Sequence, residues 1–162
     1  MRDLPSNRLD PGVKKVWRIS DAVSITLAFL GVAAVTGFAV WAVAEDALAV
    51  AMGIVAVAWV AFMVVWMAVV IPLRYVRWRY EVSPEYLDIA RGIIIRRRFI
   101  IPFIRVQNTD TRQGPILRLF GLANVTVSTA AGEHEIPGLR TEEAEELRDR
   151  AAEFARLARE DV

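Results

Sequence analysis

Two uncharged runs, separated by only two acidic residues, constrain this chain more than any other feature. Residues 22–44 and residues 47–71 contain no Asp, Glu, Lys, Arg or His, and only Glu45 and Asp46 interrupt them. At about 1.5 Å rise per residue, each run makes roughly 35 Å of helix, against a bilayer hydrocarbon core of about 30 Å. Helices buried in soluble proteins rarely stay charge-free for so long. We therefore read a transmembrane helical hairpin. A cleavable leader fits poorly: the first 21 residues are polar, the first apolar run is too long, and a second follows at once.

The basic residues set an orientation. Arg2, Arg8, Lys14, Lys15 and Arg18 precede the first run, and Arg74, Arg77 and Arg79 follow the second. The connection carries only acidic charge. By the positive-inside rule both termini are expected in the cytoplasm, the short acidic turn outside, and the chain to be a multi-pass protein of the plasma membrane. Trp17, Trp66, Tyr75 and Trp78 fall near the inner ends, where amphipathic rings favour the interface. Ser24, Thr26 and Thr36 are the main polar side chains within the spans, and a helix satisfies such hydroxyls through its own carbonyls. Ala33 with Gly37, and Ala49 with Gly53, have the small-residue spacing that permits close helix approach. The organisation expected is a cytoplasmic segment (residues 1–21), a hairpin (residues 22–71, with spans 22–44 and 47–71) and a cytoplasmic domain (residues 72–162).

Beyond the second span the period changes. Val76, Trp78, Tyr80 and Val82 alternate with Tyr75, Arg77, Arg79 and Glu81, which predicts a half-buried strand. A turn follows at Ser83-Pro84-Glu85, then a strand containing Leu87 and Ile89, then a turn at Arg91-Gly92. The stretch IIIRRRFIIP, residues 93–102, resists one strand register, because either face mixes isoleucine with arginine. An apolar loop tip at residues 93–95, with a strand starting near Arg97, resolves the conflict. Strand alternation then runs through Ile104, Val106 and Asn108 against Arg105, Gln107 and Thr109. Residues 116–120 read as a short helical turn with Pro115 at its start and Gly121 at its stop. Two more strands follow, over residues 124–130 and 134–138. The end is an amphipathic helix with Thr141 as cap and a stripe of Ala144, Leu147, Ala151, Phe154 and Ala158. About six strands and one striped helix make a small antiparallel sheet or barrel closed by that helix.

These residues together resemble a known family. RLDPGVKKVWRI ahead of two apolar helices, YEVSPEYLDIARGIIIRRRFIIP, the Arg105-Val106-Gln107 strand, the Gln113-Gly114-Pro115 turn, the Arg118-Leu119-Phe120-Gly121 helical turn and Gly138 are similar to bacterial pleckstrin-homology-like membrane proteins of the YdbS-like type. The resemblance covers nearly the whole chain. It implies a PH-like β-barrel or sandwich capped by the final helix, and it supplies no catalytic residue. A shared fold does not transfer the phosphoinositide binding of eukaryotic relatives.

Little catalytic chemistry is legible. Cysteine is absent, which removes thiolate nucleophiles and Cys-based metal sites. His134 is the chain's one histidine, and alternation sends Glu133 and Glu135 to the face opposite it; we read a solvated edge histidine. Ser128 and Thr129 have no base at recognisable spacing, and Asn108 with Asp110 reads as a solvated strand face. No enzyme activity, cofactor or metal is expected.

Charge is unevenly divided. Residues 72–118 hold ten arginines and four acidic residues, whereas residues 119–162 hold five arginines and ten acidic residues. Around the isoleucine tip, Arg91, Ile93, Ile94, Ile95, Arg96, Arg97 and Arg98 form the candidate contact site. Three readings stand side by side: anionic headgroups of the bilayer, a protein partner (a second copy or another membrane protein, as in an envelope complex), and an intramolecular one in which the arginines pair with the chain's own acidic helix or simply solvate the strand. Nucleic acid is not expected, since the domain lacks the overall basic charge of such binders. A membrane-anchored binding or scaffolding module is the function these features suggest.

Overall fold

A computed structural model describes residues 4–43 and 47–160 of the chain. The acidic turn, Glu45-Asp46, lies outside the described residues. The chain divides into two compact units, one made of Met1–Val16 with Leu73–Val162, the other of Trp17–Pro72.

The second unit is a helical hairpin. Helix α1 (Val13–Val43) and helix α2 (Leu48–Val65) run antiparallel, as their contacts show: Asp21 Oδ2 accepts from Trp66 Nε1 at 2.8 Å, and the Phe29 and Trp59 rings are 5.1 Å apart. Towards the turn, a Cβ on Gly37 would sit 3.6 Å from Met52 Sδ. Of the two small-residue pairs, Ala33 and Gly37 therefore serve close approach: Ala33 is buried, whereas Gly53 faces open space. Both helical stretches, Val13–Ala42 and Leu48–Arg77, are long and apolar enough to cross a membrane, and only 6% of each most apolar window is buried within the protein. Val35, Phe38 and Val57 are 70–71% exposed. Apolar surface on this scale is stable in hydrocarbon and not in water.

After α2 the helix widens into a π-type turn (Trp66–Val70) and resumes as α3 (Ile71–Arg77). Pro72 explains the change: its ring cannot donate and collides with the carbonyl four residues back, so the preceding turn loosens. The strand expected from Tyr75 onward is therefore helical to Arg77, and β1 is only Arg79–Val82. The alternation of residues 75–82 is real in composition, but a helix already propagating costs less to extend than to end.

The other unit is a sandwich of two three-stranded antiparallel sheets. In the first, β1 pairs with β2 (Tyr86–Arg91), which pairs with β3 (Arg97–Pro102). The second orders β4 (Val106–Arg112), β5 (Leu122–Thr129) and β6 (Gly132–Arg140). The barrel alternative is corrected: β3 and β4 do not pair, so the sheets stay open. A 3-10 turn at Phe103–Arg105 carries the chain between them, with Phe103 wholly buried. This turn interrupts the strand expected through Ile104. The register also shifts between Val106 and Asn108, so Val106 is buried while Asn108 is exposed.

Helix α4 (Pro115–Leu119) has proline in its first turn and ends before Gly121, whose φ of +62° suits glycine. Helix α5 (Thr141–Glu160) lies against β4 and β5, burying Ala144, Leu147, Ala151 and Ala155, with Phe154 5.4 Å from Phe103 ring to ring. The Thr141 hydroxyl, expected to cap the helix, instead donates to the Gly121 carbonyl at 3.1 Å and accepts from Gln113 Nε2 at 3.1 Å.

The N-terminal segment is part of this sandwich. Asn7 exchanges backbone hydrogen bonds with Tyr80 at 3.0 and 3.1 Å, adding to the outer edge of β1. Leu9 and Val13 are buried. Gly138, at φ +61°, lacks the Cβ that would collide with the Val13 side chain. Asp10 Oδ1 accepts from the Gly12 amide at 2.7 Å and sets the turn into α1. A segment expected to be a cytoplasmic lead-in thus supplies core residues.

A candidate contact site at the tip of the β2–β3 hairpin

The hairpin register is closed by Arg91 opposite Arg97, leaving residues 92–96 as the loop. Gly92 makes this loop possible. Its φ is +115°, and a Cβ there would run into the Ile95 carbonyl. The loop tip and the strand start at Arg97 are as the sequence suggests. Arg79 lies opposite Ala90, and Ala90 opposite Arg98, so the tip is at the end of the sheet where β1 begins.

The seven candidate residues do not act alike. Ile94 is 94% exposed and Ile95 68%, while Ile93 is only half-exposed. Arg96 and Arg97 are exposed and have no ion pair among the described residues. Arg98 is held differently. Its Nη2 is 2.6 Å from Asp88 Oδ2, and Asp88 is buried. That carboxylate raises the Arg98 guanidinium above its usual range. Arg91 lies with its guanidinium 5.2 Å from the Phe99 ring centre, and the Phe99 ring is 4.8 Å from His134. Arg77, Arg79, Arg91, Arg96, Arg97 and Arg98 line one hollow of about 340 Å³, with Leu4, Val76, Ala90 and Gly92. The RRR triplet is therefore divided: two arginines are available to a partner, and one is anchored to the sheet.

Pairing of the arginines with α5 is not how the fold handles its charge. Among the described residues, the ion pairs of α5 are internal: Arg156 with Glu153 and Glu160, Arg150 with Glu146, and Arg148 with Asp149. Among the described residues, the carboxylate that meets the RRR triplet is Asp88, on the neighbouring strand. Sequence reading missed it, although a lone Asp in the alternating YLDIA strand was a usable signal.

His134 differs from the solvated histidine expected. It is half-buried, its Nδ1 is buried without a hydrogen-bond partner among the described residues, and it rests on Phe99. Burial first, and then the Arg91 charge, lower its pKa from the usual imidazole value. The flanking carboxylates point elsewhere: Glu135 Oε1 accepts from Asn124 Nδ2 at 2.8 Å, and Glu133 lies 3.9 Å from Arg112.

The match that decides the lineage spans both units. The model of the bacterial PH domain family matches residues 16–155. The chain belongs to the bacterial PH domain family. As a member of that family it is also 36% identical to the UPF0699 transmembrane protein YdbS of Bacillus subtilis (strain 168), over 162 residues that cover all of both chains. No solved structure matches. The PH-like two-sheet sandwich with its C-terminal helix agrees with that family, and the relative is a transmembrane protein, as the two long apolar helices suggest for this chain.

Proposed function

We propose that this bacterial PH domain protein is a non-catalytic binding module at the cytoplasmic face of the plasma membrane, anchored by its helical hairpin with both termini inside. In this reading the β2–β3 tip is the contact element, and its target is the anionic bilayer surface. The observation that carries it is the juxtaposition of exposed isoleucines with arginines that have no ion pair among the described residues: Ile94 and Ile95 stand out from the domain beside Arg96 and Arg97. Burying an exposed isoleucine side chain contributes about 1.5–3 kcal/mol, and each basic side chain near an anionic surface about 1 kcal/mol. Together these give a loop a preference for an interface that is apolar inside and negative outside. Chain order supports the same target. β1 begins two residues after α3, so the sheet end bearing the tip is the end nearest, along the chain, to the apolar spans.

A second reading keeps the same residues and changes the target. Exposed isoleucine ringed by arginine also suits a protein partner, a second copy or another envelope protein, with the domain as a scaffold.

The test uses the full chain in nanodiscs. Because the chain has no cysteine, Ile94→Cys gives one site for an environment-sensitive dye. Emission should shift to the blue in anionic discs at low salt, and revert at high salt or after Arg96→Glu with Arg97→Glu. A dye that stays water-exposed in both neutral and anionic discs rules out the membrane target. A shift that depends on protein density, whatever the lipid, favours the scaffold.

A further inference from the structure

The open side of the sandwich carries a second feature, away from the tip. β3 has β2 on one side and, among the described residues, no strand on the other. Its hydrogen-bond phase can be read from its neighbours. The Ser83 amide donates to the Tyr86 carbonyl and the Phe103 amide to the Glu85 carbonyl, each at 3.0 Å. Alternation then gives residues 87, 89 and 91 of β2 to residues 101, 99 and 97 of β3. The amide and carbonyl of Ile100 therefore point away from the sheet, as does the Pro102 carbonyl. They face a groove of about 710 Å³ between β3 and the β5–β6 turn.

The groove has a consistent chemistry. Ile100 and Ile104, 45% and 48% exposed, give it apolar walls, and the His134 ring closes one end. Among the described residues its charged lining is cationic: Arg105 and Arg159 join Arg98, and no carboxylate lines it. Arg159 is fixed by donation to the Val106 carbonyl. Arg105 is exposed and has no ion pair among the described residues. Two β3 edges placed side by side would bring arginines together, which disfavours self-pairing.

We infer that this groove receives an extended segment of a partner protein, with carboxylates alternating with apolar residues, added as a strand to the free edge of β3. Backbone hydrogen bonds to Ile100 would give the pairing, the isoleucines would take the apolar side chains, and Arg105 and Arg159 the carboxylates. Neither the tip nor anionic lipid enters into it.

The probe is a fluorescein-labelled seven-residue peptide alternating glutamate and valine, titrated against the full chain in neutral nanodiscs, where the proposed tip–lipid contact is absent. Anisotropy should report saturable binding. The lysine–valine counterpart and a version with N-methylated central residues should fail. Arg105→Glu, on an exposed side chain, should weaken binding at least about tenfold. Amide exchange at Ile100 should slow on binding, while Phe99 and Ile101, already paired with β2, should change little. No binding at about 1 mM peptide, equal binding of the N-methylated or basic peptide, or an unchanged Ile100 amide would each overturn the inference.

Discussion

Arg98 and Asp88 meet diagonally across the β2–β3 pair, with Arg98 Nε 3.0 Å from both carboxylate oxygens and Nη2 2.6 Å from one of them. Asp88 sits opposite Ile100 and Arg98 opposite Ala90, so the two share one sheet face two residues apart. A buried carboxylate with its cation removed is far more costly than the pair replaced as a whole. Arg98→Gln alone should therefore lower the melting temperature more than Arg98→Gln with Asp88→Asn. Thermal unfolding of the detergent-solubilised chain measures this, and equal losses would mean that the pair is incidental.

The loop that presents Ile94 depends on one backbone conformation. Gly92→Ala places a side chain at φ +115° and against the Ile95 carbonyl. A loss of about 1–3 kcal/mol is expected, with altered protease sensitivity confined to residues 92–96. Gly114→Ala, where a Cβ meets nothing within 4 Å, is the control and should stay within about 0.5 kcal/mol.

His134 should make stability depend on pH. Its folded-state pKa is lowered by burial and by Arg91, so the unfolded chain binds the proton more readily. The contribution is fully present above about pH 6.5 and is lost as pH falls through the lower, folded value. The chain has no other histidine, and carboxylates titrate mostly below this window. The melting temperature should drop from about pH 7.5 to about pH 5.5, and His134→Gln should flatten that slope.

The N-terminal segment should matter to the domain that follows the hairpin. Leu9→Ala removes a side chain that is 2% exposed and should cost about 2–5 kcal/mol. Leu4→Ala, at a residue 67% exposed, should change stability by less than about 0.5 kcal/mol. Chemical denaturation followed through near-ultraviolet signals from Trp78 and Tyr80 separates the two.

Orientation is open to direct measurement. A membrane-impermeant maleimide on intact cells should label Asp46→Cys and leave Asn7→Cys and Ala131→Cys unlabelled until the cells are opened. Labelling at position 7 or 131 from outside would reverse the proposed topology.

Local patterns were legible and non-local closures were not. The charge-free runs, the tip at residues 93–95, the start of β3, the Pro115 helix and the amphipathic α5 each follow from neighbours in sequence. The end of the second helix was misjudged because residues 75–82 satisfy a strand period and also tolerate a helix; the helix already running from Leu48 decided it. Barrel closure depended on whether β3 and β4 pair, and one turn at Phe103 prevents that. For the site, the sequence shows three adjacent arginines as equivalents. The five-residue loop sets the register, and the register alone selects Arg98 for Asp88 and releases Arg96 and Arg97. Likewise Leu9 and Val13 look like linker until the sandwich buries both and Gly138 is placed beside Val13.

That last contact has a consequence for how the protein is made. Val13 is synthesised early, and its niche at Gly138 leaves the ribosome only near the end of translation, after both apolar helices have emerged. The sandwich must therefore wait for the hairpin, with Leu9 and Val13 left exposed meanwhile, and a nascent chain stalled before β6 would have no finished domain to hold them. Completion of the sandwich is thus ordered by the chain itself: both apolar helices precede it in synthesis, and the fold closes behind them.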